Sequence, residues 1–360
     1  MATISLCMIV KNEEKVLARC LDSIKNAVDE IIIADTGSSD STKEIARKYT
    51  DKVFDFEWID DFSKARNFSF SKAEMDYILW LDADDIISKE NCDKLIALKN
   101  KLENEDVVMM KYITAFDENG KSAFSYYRER LLKKSSNPIW KGRVHEAIEL
   151  KGTIAYSDIE IEHHSIKTEY SRRNLTIYEK QMQIGETLQP RDMFYYGREL
   201  YYHGNYDKAI NILSDFIKNK DGWIENKIEA CRILSYCYRS IGDIDHALSI
   251  LFHSFSYDIP RAETCCEAGS LFMIKDQYNQ AIYWFKLALE LPENEQNGGF
   301  NNIDAHGYLP CIQLCVCCDK LGNHAEAEQY NTMAGKYRPS SAAYLQNIEY
   351  FNTLHQRDLF

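Results

Sequence analysis

Basic residues are in short supply. Lys and Arg number 43 against 56 Asp and Glu, a formal net charge of −13 with a pI near 5.3. A nucleic-acid partner is therefore not expected, because phosphate binding wants a basic surface. No apolar run approaches the roughly 20 residues of a membrane-crossing helix. The first apolar stretch, residues 3–10 (TISLCMIV), is too short for a secretory signal. It runs into Lys11-Asn12-Glu13-Glu14 rather than a cleavage site. Cysteine is plentiful, at eleven residues, but metal spacing is missing. Cys315 and Cys318 form a C-x-x-C pair with no second pair at zinc spacing after it. Free core thiols in a reducing, cytoplasmic compartment are the expectation.

Against these absences stands one dense stretch, Tyr77-Ile78-Leu79-Trp80-Leu81-Asp82-Ala83-Asp84-Asp85. A short continuous apolar run reads as a strand buried on both faces, as in a parallel sheet. Ligands of open α/β sheets sit just beyond the carboxyl ends of the strands. Asp82 and Asp84 fall there, and hard carboxylate oxygens suit Mg²⁺ or Mn²⁺. A solvated acidic turn capping the next helix would look the same in isolation.

At 360 residues two or three domains are expected. Strands are predicted at residues 3–10, 30–34, 52–56 and 77–81, with helices at 14–26, 41–49 and 60–74 between them. This βαβ series predicts a parallel, doubly wound sheet. A helix at 88–102, strands at 107–113 and 124–133 around a turn at Asp117-Glu118-Asn119-Gly120, and a final strand pair over 154–164 follow. Beyond residue 168 Tyr, Leu and Ala recur at helical spacing. The phrases GNYDKA, GDIDHA, DQYNQA and GNHAEA carry Ala209, Ala247, Ala281 and Ala327, which lie 38, 34 and 46 residues apart. That period matches tetratricopeptide-like helical hairpins, with the longest step hiding a loop over 292–304.

The order Lys11-Asn12-Glu13-Glu14, Asp35-Thr36-Gly37-Ser38-Ser39-Asp40, Asp61-Phe62-Ser63-Lys64-Ala65-Arg66-Asn67 and Leu81-Asp82-Ala83-Asp84-Asp85, each on the right element, resembles the family 2 glycosyltransferases with their GT-A fold. Trp140-Lys141-Gly142-Arg143-Val144-His145-Glu146, joined to helical repeats, resembles a bacterial subgroup of that family. The subgroup includes bacteriocin S-glycosyltransferases, flagellin O-glycosyltransferases and enzymes of surface-polysaccharide synthesis. The resemblance implies an α/β GT-A domain (1–167), Rossmann-like with a mostly parallel sheet, a helical connector (168–190) and an all-α tetratricopeptide-like repeat domain (191–360). It also implies roles. Asp35 would bond the nucleotide base; Glu14, Arg66 and Asn67 would line or support the nucleotide pocket. Asp82 would contact ribose or the metal's water, and Asp84 would ligate Mn²⁺ or Mg²⁺. Glu146 would be the general base of an inverting transfer, with His145 orienting it or nearing the metal. His163 would be a further metal or diphosphate contact. Residue by residue, plainer roles exist: Arg66 as a surface charge, His145 and His163 as structural histidines, Glu146 paired with Arg143 or Arg130.

The expected reaction moves a sugar from a UDP-sugar to a Ser/Thr or Cys side chain of a peptide or protein held by the repeats. A glycan acceptor, and a repeat scaffold with a vestigial catalytic domain, are the alternatives. A homodimer through the repeats is compatible with the sequence. A nucleotidyltransferase would want a Gly-rich loop after the first strand, and Lys11-Asn12-Glu13-Glu14 is not one.

Overall fold

A computed structural model of the chain describes residues 1–116, 120, 122–166, 171–292 and 302–357. Two compact units result, Met1–Leu188 and Gln189–Phe360. The expected turn at 117–120, save Gly120, and most of the expected loop at 292–304 lie outside the described residues.

The first unit runs β1 (Ile4–Val10), α1 (Leu17–Ile24), β2 (Glu30–Asp35), α2 (Thr42–Ala46), β3 (Val53–Asp55), α3 (Phe62–Phe70), β4 (Tyr77–Trp80), β5 (Asp85–Ile86), α4 (Lys89–Lys99), β6 (Val107–Phe116), β7 (Ser122–Lys133), β8 (Trp140–Lys141), β9 (Ala147–Ile148), β10 (Ile154–His163) and α5 (Arg173–Gln183). Eight strands form one sheet in the order β3-β2-β1-β4-β7-β6-β10-β5. The pairs β3/β2, β2/β1, β1/β4 and β6/β10 are parallel. The strand β7 is antiparallel to both its neighbours, and β5 is antiparallel to β10. The expected series of parallel strands thus continues past β4 only after an inserted antiparallel strand. The expected strand pair over 154–164 is instead a single strand that bulges between Tyr156 and Glu160.

Strand alternation explains the apolar runs. Tyr77 and Leu79 of β4 enter one core, beneath α1 and α4. Ile78 and Trp80 enter the other, with Phe70, Trp140 and Ile148. A strand covered on both faces has no polar side to show, so it reads as unbroken hydrophobic sequence. The loops carrying Glu14, Asp35, Asp82 and Asp84 leave strands of this sheet, whereas His145 and Glu146 lie between β8 and β9, a separate two-stranded sheet.

The second unit is helical: α6 (Pro190–Tyr202), α7 (Tyr206–Lys218), α8 (Ile224–Ser240), α9 (Ile244–His253), α10 (Ala262–Ile274), α11 (Tyr278–Glu290), α12 (Tyr308–Lys320), α13 (His324–Tyr337) and α14 (Ala342–Arg357). The four repeated phrases fall at the turns of α6/α7, α8/α9, α10/α11 and α12/α13. Gly204, Gly242 and Gly322 take left-handed φ angles of 71, 85 and 78°, and Asp276 fills the same place at 55°. The alanines are fully buried, because only a small side chain lets the two helices of a hairpin approach. A second close approach shows the same logic. A Cβ on Gly269 of α10 would stand 2.6–2.8 Å from three ring carbons of the buried Phe285. Gly269→Ala is therefore expected to cost about 2 kcal/mol, seen as an earlier urea midpoint.

Candidate nucleotide and metal site

Three strand ends build the site. At the carboxyl end of β2, Asp35 is fully buried. Its Oδ1 accepts the backbone N–H groups of Gly37 (3.0 Å) and Ser38 (2.8 Å), which folds the following loop back on the strand. Its Oδ2 is buried and has no hydrogen-bond partner among the described residues. A buried carboxylate oxygen left unpaired costs free energy unless something donates to it. The loop after β1 is stitched to this one. Asn12 takes the backbone N–H of Ser39 at 2.8 Å, and Ser38 takes that of Asn12 at 2.9 Å. Glu14 belongs to the same stitching. Its carboxylate accepts the Ser41 N–H at 3.1 Å, at the start of α2.

The second part centres on Arg66 of α3, 8 % exposed. Its guanidinium lies 4.8 Å from the Trp80 ring centre and 5.0 Å from that of Trp140, set against two indoles that pack edge-to-face and favour a cation. Its Nη2 donates to Asp82 Oδ1 (2.8 Å) and its Nε to Glu146 Oε1 (2.5 Å). Burial alone would lower the pKa of Arg66, but Asp82 and Glu146 more than reverse that and keep it charged. Asp82 mirrors it. Burial works against its charge, and Arg66 with Arg130 holds the carboxyl well below the usual range.

Asn67, one residue on, donates Nδ2 to the Trp140 carbonyl and accepts the Trp140 N–H on Oδ1, both at 2.9 Å. A side-chain amide thus copies the exchange of two strand residues and pins the segment 140–146 to α3. Phe62 adds a backbone bond to the Arg143 carbonyl at 2.8 Å. Between β8 and β9 the chain turns tightly, with Gly142 at φ 96° and His145 at φ 50°. A non-glycine residue with positive φ is uncommon and marks a conformation imposed by its surroundings. Glu146 is turned to Arg66; Arg143 pairs with Glu186 at 2.6 Å and Arg130 with Asp85 at 3.1 Å. The two pairings considered for Glu146, with Arg143 or Arg130, are not the ones formed.

The third part is the acidic turn after β4. Pairing of β5 with β10 sets His163 directly opposite Asp85. Ligand-type atoms of Asp84, Asp85 and His163 stand within 4.8 Å of one another. Two carboxylates and an imidazole are a donor set that suits Mn²⁺ or Mg²⁺. Asp82 is turned to Arg66 instead. Burial lowers the pKa of His163, but Asp85, then Asp84 and Asp82, raise it above its ordinary value.

The sequence named Asp82, Asp84 and His163 as site residues, offered Arg130 only as a partner for Glu146, and gave no role to Asp85 or Tyr112. Tyr112 and Arg130 lie on β6 and β7, where strand alternation makes them look like ordinary sheet residues. No local signal marks Arg130, which follows Arg128 and Glu129 in an already charged stretch.

An α/β domain with an acidic turn and an anchored arginine at the strand ends of its sheet is followed in the chain by tetratricopeptide-like helical hairpins. Residues 5–149 match the family model described as Glycosyl transferase family 2. It is 31 % identical over 234 residues to the SPbeta prophage-derived glycosyltransferase SunS of Bacillus subtilis, covering 60 % of this chain and 54 % of that protein. A TPR repeat-containing protein of Synechococcus elongatus is 36 % identical over 149 residues, 41 % of this chain and 36 % of the relative. An uncharacterized glycosyltransferase of Rickettsia felis is 39 % identical over 95 residues, 26 % of this chain and 33 % of the relative. The chain spans about half, or less, of the length of these curated relatives. Among the described residues no helix is long and apolar enough to cross a membrane.

Proposed function

We propose that the chain is a metal-dependent, inverting glycosyltransferase that moves a sugar from a UDP-sugar to a peptide or protein side chain. The observation that carries this is the unpaired, buried Oδ2 of Asp35 at the carboxyl end of β2, on the same side of the sheet as the acidic turn after β4 and His163 at the carboxyl end of β10. Only β1 separates β2 from β4 in the sheet, and the strand pairs make β2, β4 and β10 run parallel. Asp35 Oδ2 would accept from a base N–H, as uracil offers at N3. Asp84 and His163 would hold the divalent cation, which supplies charge to the diphosphate as it leaves.

The chain's own residues supply the rest. Arg66 is a fixed cation beside the turn, aimed by Asp82, Glu146 and two indoles, and needs no rearrangement to stabilise developing negative charge. The acceptor's oxygen or sulfur forms a bond to C1 of the sugar from the face opposite the diphosphate. The C1–oxygen bond breaks, the electron pair leaves with UDP, and the acceptor's proton passes to Glu146. Glu146 is oriented for this through Arg66 Nε, and Asn67 sets the distance of its whole segment from α3. The role of Glu14 is to shape the loop over the nucleotide through the start of α2. His145, held at positive φ next to Glu146, orients the base segment. The repeat unit supports an extended peptide acceptor, since stacked helical hairpins form elongated concave surfaces. A cytoplasmic enzyme is consistent with eleven buried free thiols.

The test is nucleotide release with Mn²⁺ across UDP- and GDP-sugars, without acceptor, run beside melting curves with UDP and Mn²⁺. Slow hydrolysis of one UDP-sugar is expected, with a raised Tm in wild type and no UDP shift in Asp35→Asn, which puts a donor where an acceptor is needed. Neither hydrolysis nor a shift would leave a repeat scaffold as the better reading.

A further inference from the structure

Distance alone nominates Asp85 as a ligand for the cation, since it stands with Asp84 and His163 inside 4.8 Å. Its hydrogen bonds withdraw it. Asp85 is fully buried. Its Oδ1 accepts from the Tyr112 hydroxyl at 2.9 Å and faces His163 Nδ1 at 3.2 Å. Its Oδ2 accepts the Asp82 backbone N–H at 3.0 Å and Arg130 Nη1 at 3.1 Å. A carboxylate offers about four lone-pair directions, and all four are engaged.

Arg130 closes the argument from the other side. It is fully buried, and its Nε and Nη2 have no hydrogen-bond partner among the described residues. Its guanidinium sits 3.9 Å from the Trp80 ring centre and 4.2 Å from that of Tyr112. Pulling Asp85 away toward a cation would strand a buried charge whose only carboxylate partner within ion-pairing distance, among the described residues, is Asp85.

His163 is the group this arrangement serves. Its Nδ1 lies 2.9 Å from the Tyr112 oxygen as well as 3.2 Å from Asp85. A carboxylate can only accept, so the proton of the imidazole sits on Nδ1. It goes either straight to Asp85 or to the Tyr112 oxygen, whose own hydrogen goes to Asp85. Nδ1 also stands 3.5 Å from Asp84 Oδ1, but with the proton on Nδ1 the nitrogen whose lone pair is left for a cation is Nε2.

We propose, resting on the metal-dependent reading above, that Asp85, Tyr112 and Arg130 are a positioning clamp and not ligands. They fix the tautomer and ring orientation of His163, so that Asp84 and His163 Nε2 are the protein's contribution to the cation. The register of β5 against β10 delivers His163 to the clamp, and β6 and β7 deliver its other two members.

The test measures Mn²⁺ affinity with UDP present, by calorimetry, for wild type, Tyr112→Phe, His163→Gln and the double variant. Metal-free melting curves of each confirm the fold. Pulsed EPR reads the ¹⁴N coupling of a coordinated imidazole. Wild type is expected to show that coupling and His163→Gln to lose it. Tyr112→Phe should weaken Mn²⁺ by about 10-fold or more, the effect of losing an outer-shell partner. In the His163→Gln background, Tyr112→Phe should then do nothing further, because the hydroxyl acts only through the histidine. Wild-type affinity in Tyr112→Phe would overturn the clamp, as would losses that add in the double variant. Absence of Mn²⁺ binding by wild type would overturn the metal-dependent reading as well, which separates that failure from this one.

Discussion

Replacing Arg66 by alanine should cut sugar-nucleotide turnover by about 100-fold or more and destabilise the first unit by about 3 kcal/mol. Both effects have one cause. The guanidinium is the partner of two carboxylates, Asp82 and Glu146, which lie 16 and 80 residues away in sequence. Removing it leaves two negative charges unpaired beside Trp80 and Trp140. The stability loss takes the low end of the buried-pair range because Asp82 is partly open to water, at 35 % side-chain exposure. Arg66→Lys should recover part of the stability but little of the turnover. An ammonium can reach one carboxylate, whereas the planar fork reaches both and stacks on the indoles. Turnover at saturating donor, read together with a urea melt, separates the two consequences. A lysine variant as active as wild type would sink the electrostatic role given to Arg66.

Asp84→Ala should behave in the opposite way, abolishing turnover by about a thousand-fold or more while leaving the fold intact. Asp84 sits among like charges, with Asp82 and Asp85 in the same turn, and His163 Nδ1 stands 3.5 Å from its carboxylate. Its side chain makes no contribution to the ladder of β5 with β10, which its backbone carbonyl and that of its neighbours sustain: His164 donates to the Asp84 carbonyl at 2.9 Å. The metal-free Tm of Asp84→Ala should therefore equal or exceed that of wild type, the usual trade between a functional carboxylate and stability. The rise in Tm produced by Mn²⁺ with UDP should vanish. A variant that unfolds would show that Asp84 is structural and that the acidic turn is a helix-capping device after all.

How much of this could be read before the fold was known depended on range. The place of Asp82 and Asp84 beyond an apolar strand could be read from the sequence, since strand ends are where such sheets hold ligands, whereas Asp35 entered only with the family resemblance. The hairpin turns were legible from Gly204, Gly242 and Gly322, since a left-handed turn and a buried alanine five residues on leave a local pattern. What local pattern does not contain is register. His163 meets Asp85 only because a two-residue strand pairs with the far end of a ten-residue one. Arg66 meets Glu146 only because Asn67 pins the segment around Trp140 to α3. Glu14 was assigned to the nucleotide pocket by its place in a motif, whereas its carboxylate is spent on the start of α2, a partner 27 residues away. The insertion of β7 antiparallel between β4 and β6 was equally silent. A strand's neighbour is chosen by the connections and packing of the whole sheet, not by its own composition.

All eleven thiols are buried, spread over both units, and burial pushes several of them up, Cys7 and Cys231 to about 12. Only a thiolate reacts readily with an alkylating reagent, so the folded chain presents almost nothing to such a reagent. Each cysteine then becomes a clock for the opening of its own neighbourhood. The order in which Cys7, Cys20 and Cys92 on one side, and the eight beyond residue 230 on the other, are consumed would chart which unit breathes first, with no label introduced from outside.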